Sequence, residues 1–332
     1  MRKFLPAVAL ALVASGASAQ STLGIARPFN AFIFGNVNTP GGGEMEGPLA
    51  AGGNWASGAF NVNFKAGTTG YSAATVNATT NIGAYVKGAV SSTGSTSVTD
   101  DAYVGSASGT PLLFQGGGSQ HSGVTDIFSP TAFLNQSNFL ANLASQTAMN
   151  TSDQNSINID LSAAANATQQ SKYGAFRVYS IPASQLAANR TLNISNFGAN
   201  TLVINVTGEN GNTLGNVGGF GLQVTSGNFN HILWNDPNAI GFTIDGRIFE
   251  GSLLAPNAAV TQRNVIEGNL IAASLTDSGS NELHFGFANQ FNGTLYTPSA
   301  PSTTPEPGVV GLMIAGLISG SVLFRRRKTA RN

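Results

Sequence analysis

Residues 249–255 read FEGSLLA, and the chain repeats the phrase. Residues 266–272 read IEGNLIA, and residues 45–51 read MEGPLAA. All three follow one formula: a large apolar residue, Glu, Gly, any residue, Leu, a small or apolar residue, Ala. The two downstream copies lie 17 residues apart. Self-similarity at a short fixed period marks a repeat architecture, and a unit of about 17 to 20 residues suits one coil of a β-solenoid better than a helical repeat of 33 or more. Gly251 and Gly268 then mark bends where a side chain would foul the next coil, and Gly47 holds the same place upstream. Glu46, Glu250 and Glu267 occupy one position of the formula, although Glu is scarce.

Working outward, Ala84-Tyr85-Val86 recurs as Ala102-Tyr103-Val104 after 18 residues, close to the same period. Residues 29–37, FNAFIFGNV, read as a strand buried on both sides. Residues 129–149 differ. Ser129 can cap, Pro130 suits the first helical turn, and Phe133, Leu134, Leu140, Leu143 and Ala144 share one stripe at helical spacing. This is the one confident helix of the body, expected to cover a side or end of the β stack. Alternating runs at 156–161, 176–181, 192–194, 202–206, 229–234, 242–244, 283–287 and 293–296 read as strands, and 182–189 as a turn or short helix.

The two ends differ in kind. Residues 1–19 combine Arg2 and Lys3, an apolar run and the small-x-small site Ala17-Ser18-Ala19, which predicts a cleaved signal peptide. The body is expected over 20–297. Residues 298–307 form a Pro/Ser/Thr linker containing Pro305-Glu306-Pro307. Residues 308–324 are uncharged and at the short limit for a transmembrane helix. The tail 325–332 opens on Arg325, Arg326, Arg327 and Lys328, expected on the cytoplasmic side.

Composition excludes several functions. Charged residues are 9% of the 332, and there is no cysteine, so zinc-thiolate sites, disulfides and thiol nucleophiles are ruled out. Seven of the 15 basic residues sit at the ends; the body keeps eight against 14 acidic residues, about −6, which argues against nucleic-acid binding. His121, His231 and His284 lack metal-ligand spacing, and a hydrogen-bonded structural role is favoured for the latter two. Asp100-Asp101 reads as a turn rather than a calcium cage. Of the body bases, only Lys172 and Arg177 lie close together. If the coils are in register, Glu250 and Glu267 stack; exposure with partial pairing to Arg247 or Arg263 is favoured over a bridging cation. No catalytic residue, metal site or cofactor is expected.

Two resemblances follow from these residues. The tail, Pro305-Glu306-Pro307 with a Gly-rich apolar helix and RRRK, resembles a PEP-CTERM sorting signal. That resemblance implies a Gram-negative host, export, recognition by an exosortase, and association with exopolysaccharide. The body resembles the choice-of-anchor A domain through FNAFIFGNVN, MEGPLAAGGN, ILWNDPNA, EGSLLAPNAAV, IEGNLIAASL and ELHFGF. It implies an adhesive β-helix with a flanking helix and no catalytic residues.

The expected fold is therefore mainly β, a right-handed β-helix with one flanking α-helix, a signal helix and a transmembrane helix. The expected function is a secreted, non-enzymatic surface or matrix protein with a structural or adhesive role. Signal peptidase, exosortase and transiently the inner membrane are its export partners, and polysaccharide is its expected ligand. Two rivals are a lyase or hydrolase acting on polysaccharide, and a solenoid binding an ice-like lattice. The second needs a flat face of regular Thr, and Thr68-Thr69, Thr79-Thr80, Thr96 and Thr99 are too irregularly spaced to supply one.

Overall fold

A computed structural model describes residues 23–67, 74–143, 153, 155–186, 190–208, 221–224, 229–245, 248–279, 281–285 and 290–296. One compact unit, Gln20–Tyr296, contains all of them. The cleavage site Ala17/Ala19, the linker with Pro305, Glu306 and Pro307, the apolar run at 308–324 and the basic tail with Arg325, Arg326 and Arg327 lie outside the described residues. No helix among the described residues is long and apolar enough to cross a membrane.

The unit is mainly β, with large parallel sheets stacked as in a β-solenoid. The strands are short because each coil must turn at a corner after a few residues. Residues at alternate positions point inward, and their apolar side chains stack into one interior. The 249 and 266 repeats lie on adjacent coils, with Phe249 beside Ile266, Glu250 beside Glu267, Leu253 beside Leu270 and Ala255 beside Ala272. Gly251 (φ +98°) and Gly268 (φ +142°) turn the corner with left-handed backbone, and a Cβ on Gly268 would sit 2.7 Å from the Gly251 carbonyl oxygen.

The chain does not wind from one end to the other. The N-terminal coil lies in the middle of the stack. Strand Ala31–Ile33 pairs on one side with Leu270–Asp277 and on the other with Leu49–Ala51. From there the N-terminal half climbs away through Thr79–Ser92 to Asp101–Gly109. The C-terminal half starts at the opposite end, with Phe176–Pro182, and descends through Thr201–Thr207, Ile232–Asn235 and Ser252–Gln262 to the joint. Buried asparagines lock that joint. Asn30 Nδ2 donates to Gly268 O (2.8 Å) and His284 O (3.2 Å). Asn269 Nδ2 donates to Arg27 O (2.8 Å) and Phe29 O (2.6 Å).

Several expectations change. Residues 29–37 are not one strand: Ala31–Ile33 and Val37–Thr39 are separated by a corner. The helix is Pro130–Ala141, here α1, capped at Asn142, so Leu143 lies beyond it, and residues 144–149 lie outside the described residues. Ser129 makes no side-chain cap. Ser137, not an apolar residue, completes the buried stripe with Phe133 and Leu140, because its Oγ donates to Asn235 Oδ1 (2.6 Å). α1 covers an outer row of the first face, where Phe133 meets Phe32 at 5.5 Å between rings. Among the described residues there are two further α-helices, α2 (Ala167–Tyr173) and α3 (Ala183–Leu186); α2 carries no clear apolar stripe that the sequence would reveal. Alternation from the inward Leu253 would point Ser252 outward; instead it is fully buried, and its Oγ accepts from the Asn269 N–H (3.0 Å).

Candidate surface-binding face

The stack presents three faces of different chemistry. The first is the apolar face beneath α1. The second bears the carboxylates. Strands Phe249–Glu250, Ile266–Glu267, Glu282–His284, Gly43–Met45 and Phe60–Val62 follow one another in it. Register sets Glu250 beside Glu267 and Glu267 beside His284. His284 therefore stands where the repeat formula has Glu, again 17 residues on; sequence reading missed this degenerate copy although the period pointed to it.

His284 is clamped between carboxylates. Its Nδ1 lies 3.0 Å from Glu267 Oε1 and its Nε2 2.7 Å from Glu282 Oε2. The hydrogen bond to Glu267 is the largest cause raising its pKa to about 9, against the opposing effect of burial. His284 is therefore the partner of Glu267. Neither arginine named from sequence takes that place: Arg263 pairs with Asp245 at 3.5 Å, and Arg247 lies outside the described residues. Glu250 is half-buried, and burial followed by the Glu267 charge pushes its pKa up to about 7. Glu46 is almost buried, and its Oε2 accepts from the Phe285 N–H (2.8 Å), with Lys65 Nζ at 3.5 Å from Oε1. Gly47 beside it is obligatory, since a Cβ there would lie 2.2 Å from the Phe285 ring. These residues hold coils together. Among the described residues no group of three or more His, Asp or Glu is placed to hold a metal ion.

The remaining positions are structural as well. His231 Nδ1 lies 3.2 Å from Asn200 O. His121 stacks on Tyr103, 4.7 Å between rings, and sits 3.1 Å from Asp101. Asp100 turns with φ +71° and accepts from Asn63 Nδ2 (3.0 Å). Arg177 is buried against the carbonyls of Gly174 and Phe176.

The third face is different. Pairing aligns Thr243, Thr261, Thr276, Asn38, Ala56, Ser91 and Ser108 in one outward row, each beside the next. Two residues back, Gly241 pairs with Ala259, Ala259 with Ser274 and Ala89 with Ser106, and Asn36 and Asn54, just ahead of their strands, continue this second row through side-chain hydrogen bonds. Neither row contains a charged or large side chain. Across seven strands at about 4.8 Å, the rows run about 29 Å and stand about 7 Å apart. The second row is rigid: Asn36 Oδ1 accepts from the Asn54 N–H (2.8 Å), and Asn54 Oδ1 from the Ala89 N–H (2.8 Å). The result is a neutral, ordered array of methyl, hydroxyl and carboxamide groups. Such a surface is unsuited to enclosing a small molecule and suited to meeting another extended surface.

None of the threonines weighed from sequence builds this face. Thr96 is buried and bonded to Ser57 (2.8 Å) and Ser92 (2.9 Å). Thr79 sits at a hairpin, and Thr68-Thr69 lie outside the described residues. The contributing Thr243, Thr261 and Thr276 are separated by 18 and 15 residues, and the row is completed by coils from the other half of the chain. Only the ladder registers bring them together.

A stacked parallel β fold with two aligned charge-free rows on one face defines a surface-contact module. The chain belongs to the family of ice-binding-like adhesive domains, whose model matches residues 22–285. It is also similar to the crystal structure of an ice-binding protein from an Antarctic ascomycete, Antarctomyces psychrotrophicus. That match has 14% identity and a TM-score of 0.35, and covers 80% of this chain and 98% of that one. No curated protein matches.

Proposed function

We propose that this chain is an exported, non-catalytic adhesive protein that holds an extended, regular, hydroxyl-bearing surface, such as exopolysaccharide, through its flat face. The observation that carries this reading is the segregation of charge: Glu44, Glu250, Glu267 and Glu282 gather on one face, and the two outward rows on another carry no charge. Adhesive family membership supports it. A neutral face has little hydration to lose on contact, whereas a charged one would have to shed it. The face is narrow, so single contacts are weak, and firm attachment comes from many anchored copies acting together. A second reading, contact with an ice-like lattice, is favoured by the in-register Thr243, Thr261 and Thr276.

The finer assignments belong to the same proposal. The body is a choice-of-anchor A type, right-handed β-helix over 20–297. Signal peptidase removes 1–19. The PEP-CTERM-like end holds the chain transiently in the inner membrane until an exosortase cuts near Pro305-Glu306-Pro307. The surface form then lacks Arg325–Lys328, which intact-mass measurement on protein from the native host checks; a surface form retaining that cluster would mean a simple anchor instead.

Binding to insoluble polysaccharides and to ice separates the two ligand readings. Thr261→Lys should weaken binding at least about tenfold, because desolvating an unpaired ammonium costs more than about 1.4 kcal/mol. Glu44→Gln on the acidic face should leave binding unchanged. Equal binding by folded Thr261→Lys and wild type would remove the flat face from the mechanism.

A further inference from the structure

The two ends of the stack are finished differently. At the C-terminal half's outer end, strand Phe176–Pro182 is covered by α2 and α3. Gln169 of α2 meets the strand's free edge with both ends of its amide: Nε2 donates to Val178 O (2.8 Å), and Oε1 accepts from the Val178 N–H (2.9 Å). This is a cap. Stacked repeats need one, because a terminal coil otherwise exposes its core and an unpaired ladder.

The other end has no such cap among the described residues. Gln120–His121 pairs with Ala102 and Tyr103 of the last long strand. Beyond that, the outer side of residues 105–109 has no strand against it among the described residues. Ala107 stands in the inward row, beside Val90, yet is exposed, and no further coil among the described residues covers it. The core ends there in an open hollow of about 380 Å³ lined by Val90, Ala107, Leu112 and Phe114. Edges are ordinarily protected by charge. Here residues 105–120, GSASGTPLLFQGGGSQ, contain no charged side chain.

We propose that two copies of this chain join through this uncapped end, with the 105–109 edges pairing antiparallel about a two-fold axis. Identical edges can pair only in that sense within a closed dimer, and two neutral ends meet without like-charge repulsion. The capped opposite end stops growth at two copies, so the contact does not propagate into a fibre. A two-fold axis perpendicular to the paired strands leaves both flat faces on the same side, so the dimer presents one face of double length. This pairing does not depend on what the flat face binds.

The full chain has no cysteine, so single cysteines report the contact cleanly. Sedimentation of the purified full chain should show a concentration-dependent monomer–dimer equilibrium with nothing larger. Ala107→Lys places a charge on the edge and should raise the dimer dissociation constant at least about tenfold while the thermal melt is unchanged. Under mild oxidation Ala107→Cys, which the two-fold sets opposite its own copy, should cross-link to dimers, and Ser171→Cys, exposed on α2 at the capped end, should not. A chain that stays monomeric at the highest soluble concentration overturns the proposal and leaves the end to a strand from a different protein. So does equal cross-linking of the two cysteine variants, or a folded Ala107→Lys that dimerises like wild type. If Ala107→Lys does not fold, the cysteine pair decides alone.

Discussion

Glu250→Gln should make this domain more stable at alkaline pH, although it removes a residue of the repeat. Glu250 sits half-buried with Glu267 on the adjacent coil, and its pKa rises from 4.5 to about 7. A folded-state carboxyl pKa above the unfolded one means that the folded chain holds the proton longer. Stability is therefore lost as pH rises from about 4.5 through about 7, and the charge is a burden above that window. A shift of this size corresponds to a ceiling of about 3 kcal/mol. Because the carboxylate partly faces solvent, about 1–2 kcal/mol is the expected effect. Gln keeps the shape, loses the charge and relieves the repulsion with Glu267. Urea unfolding of wild type and Glu250→Gln at pH 5 and pH 8 measures this. The variant should gain stability relative to wild type at pH 8 and little at pH 5. Taking the difference between the two proteins cancels the titrating groups that do not interact with Glu250, leaving the Glu250 charge and its coupling to Glu267. A variant no more stable than wild type at pH 8 would refute the argument that burial and Glu267 hold the Glu250 proton.

Two further outcomes follow from the stack. Leu253 lies between Trp234 and Leu270, so Leu253→Asp should prevent folding, and Ser252→Asp should cost about 2–4 kcal/mol because Ser252 is buried against Asn269; circular-dichroism melts distinguish them, and a tolerated Ser252→Asp would contradict the observed burial. His284, raised to about 9 chiefly by Glu267, contributes stability fully present below about pH 6.5 and lost as pH climbs through 9; His284→Gln should therefore destabilise by about 1–3 kcal/mol at pH 6 and by almost nothing at pH 10, and equal losses at both would show the clamp is not ionic.

What the sequence determined is local. The coil period, the corner glycines, the inner Leu and Ala rows and α1 all follow from residues a few positions apart, because a strand of three residues and its turn carry their own pattern. Leu253 beside Leu270 and Glu250 beside Glu267 were legible because one period separates them. What only the tertiary structure decided is how distant coils meet. Ala31–Ile33 lies between Leu49–Ala51 and Leu270–Asp277, so neighbours in space come from opposite ends of the chain. No local period encodes that, and the flat face depends on it: Thr276 meets Asn38 only across the joint. The same holds for Ser252, whose burial is set by Asn269 on the next coil, and for His284, whose partners Glu267 and Glu282 make it a clamp. Alternation tells inside from outside within one strand. Whether an outside position faces water, a helix or a neighbouring coil's polar group is fixed by packing, and packing is a property of the assembled stack.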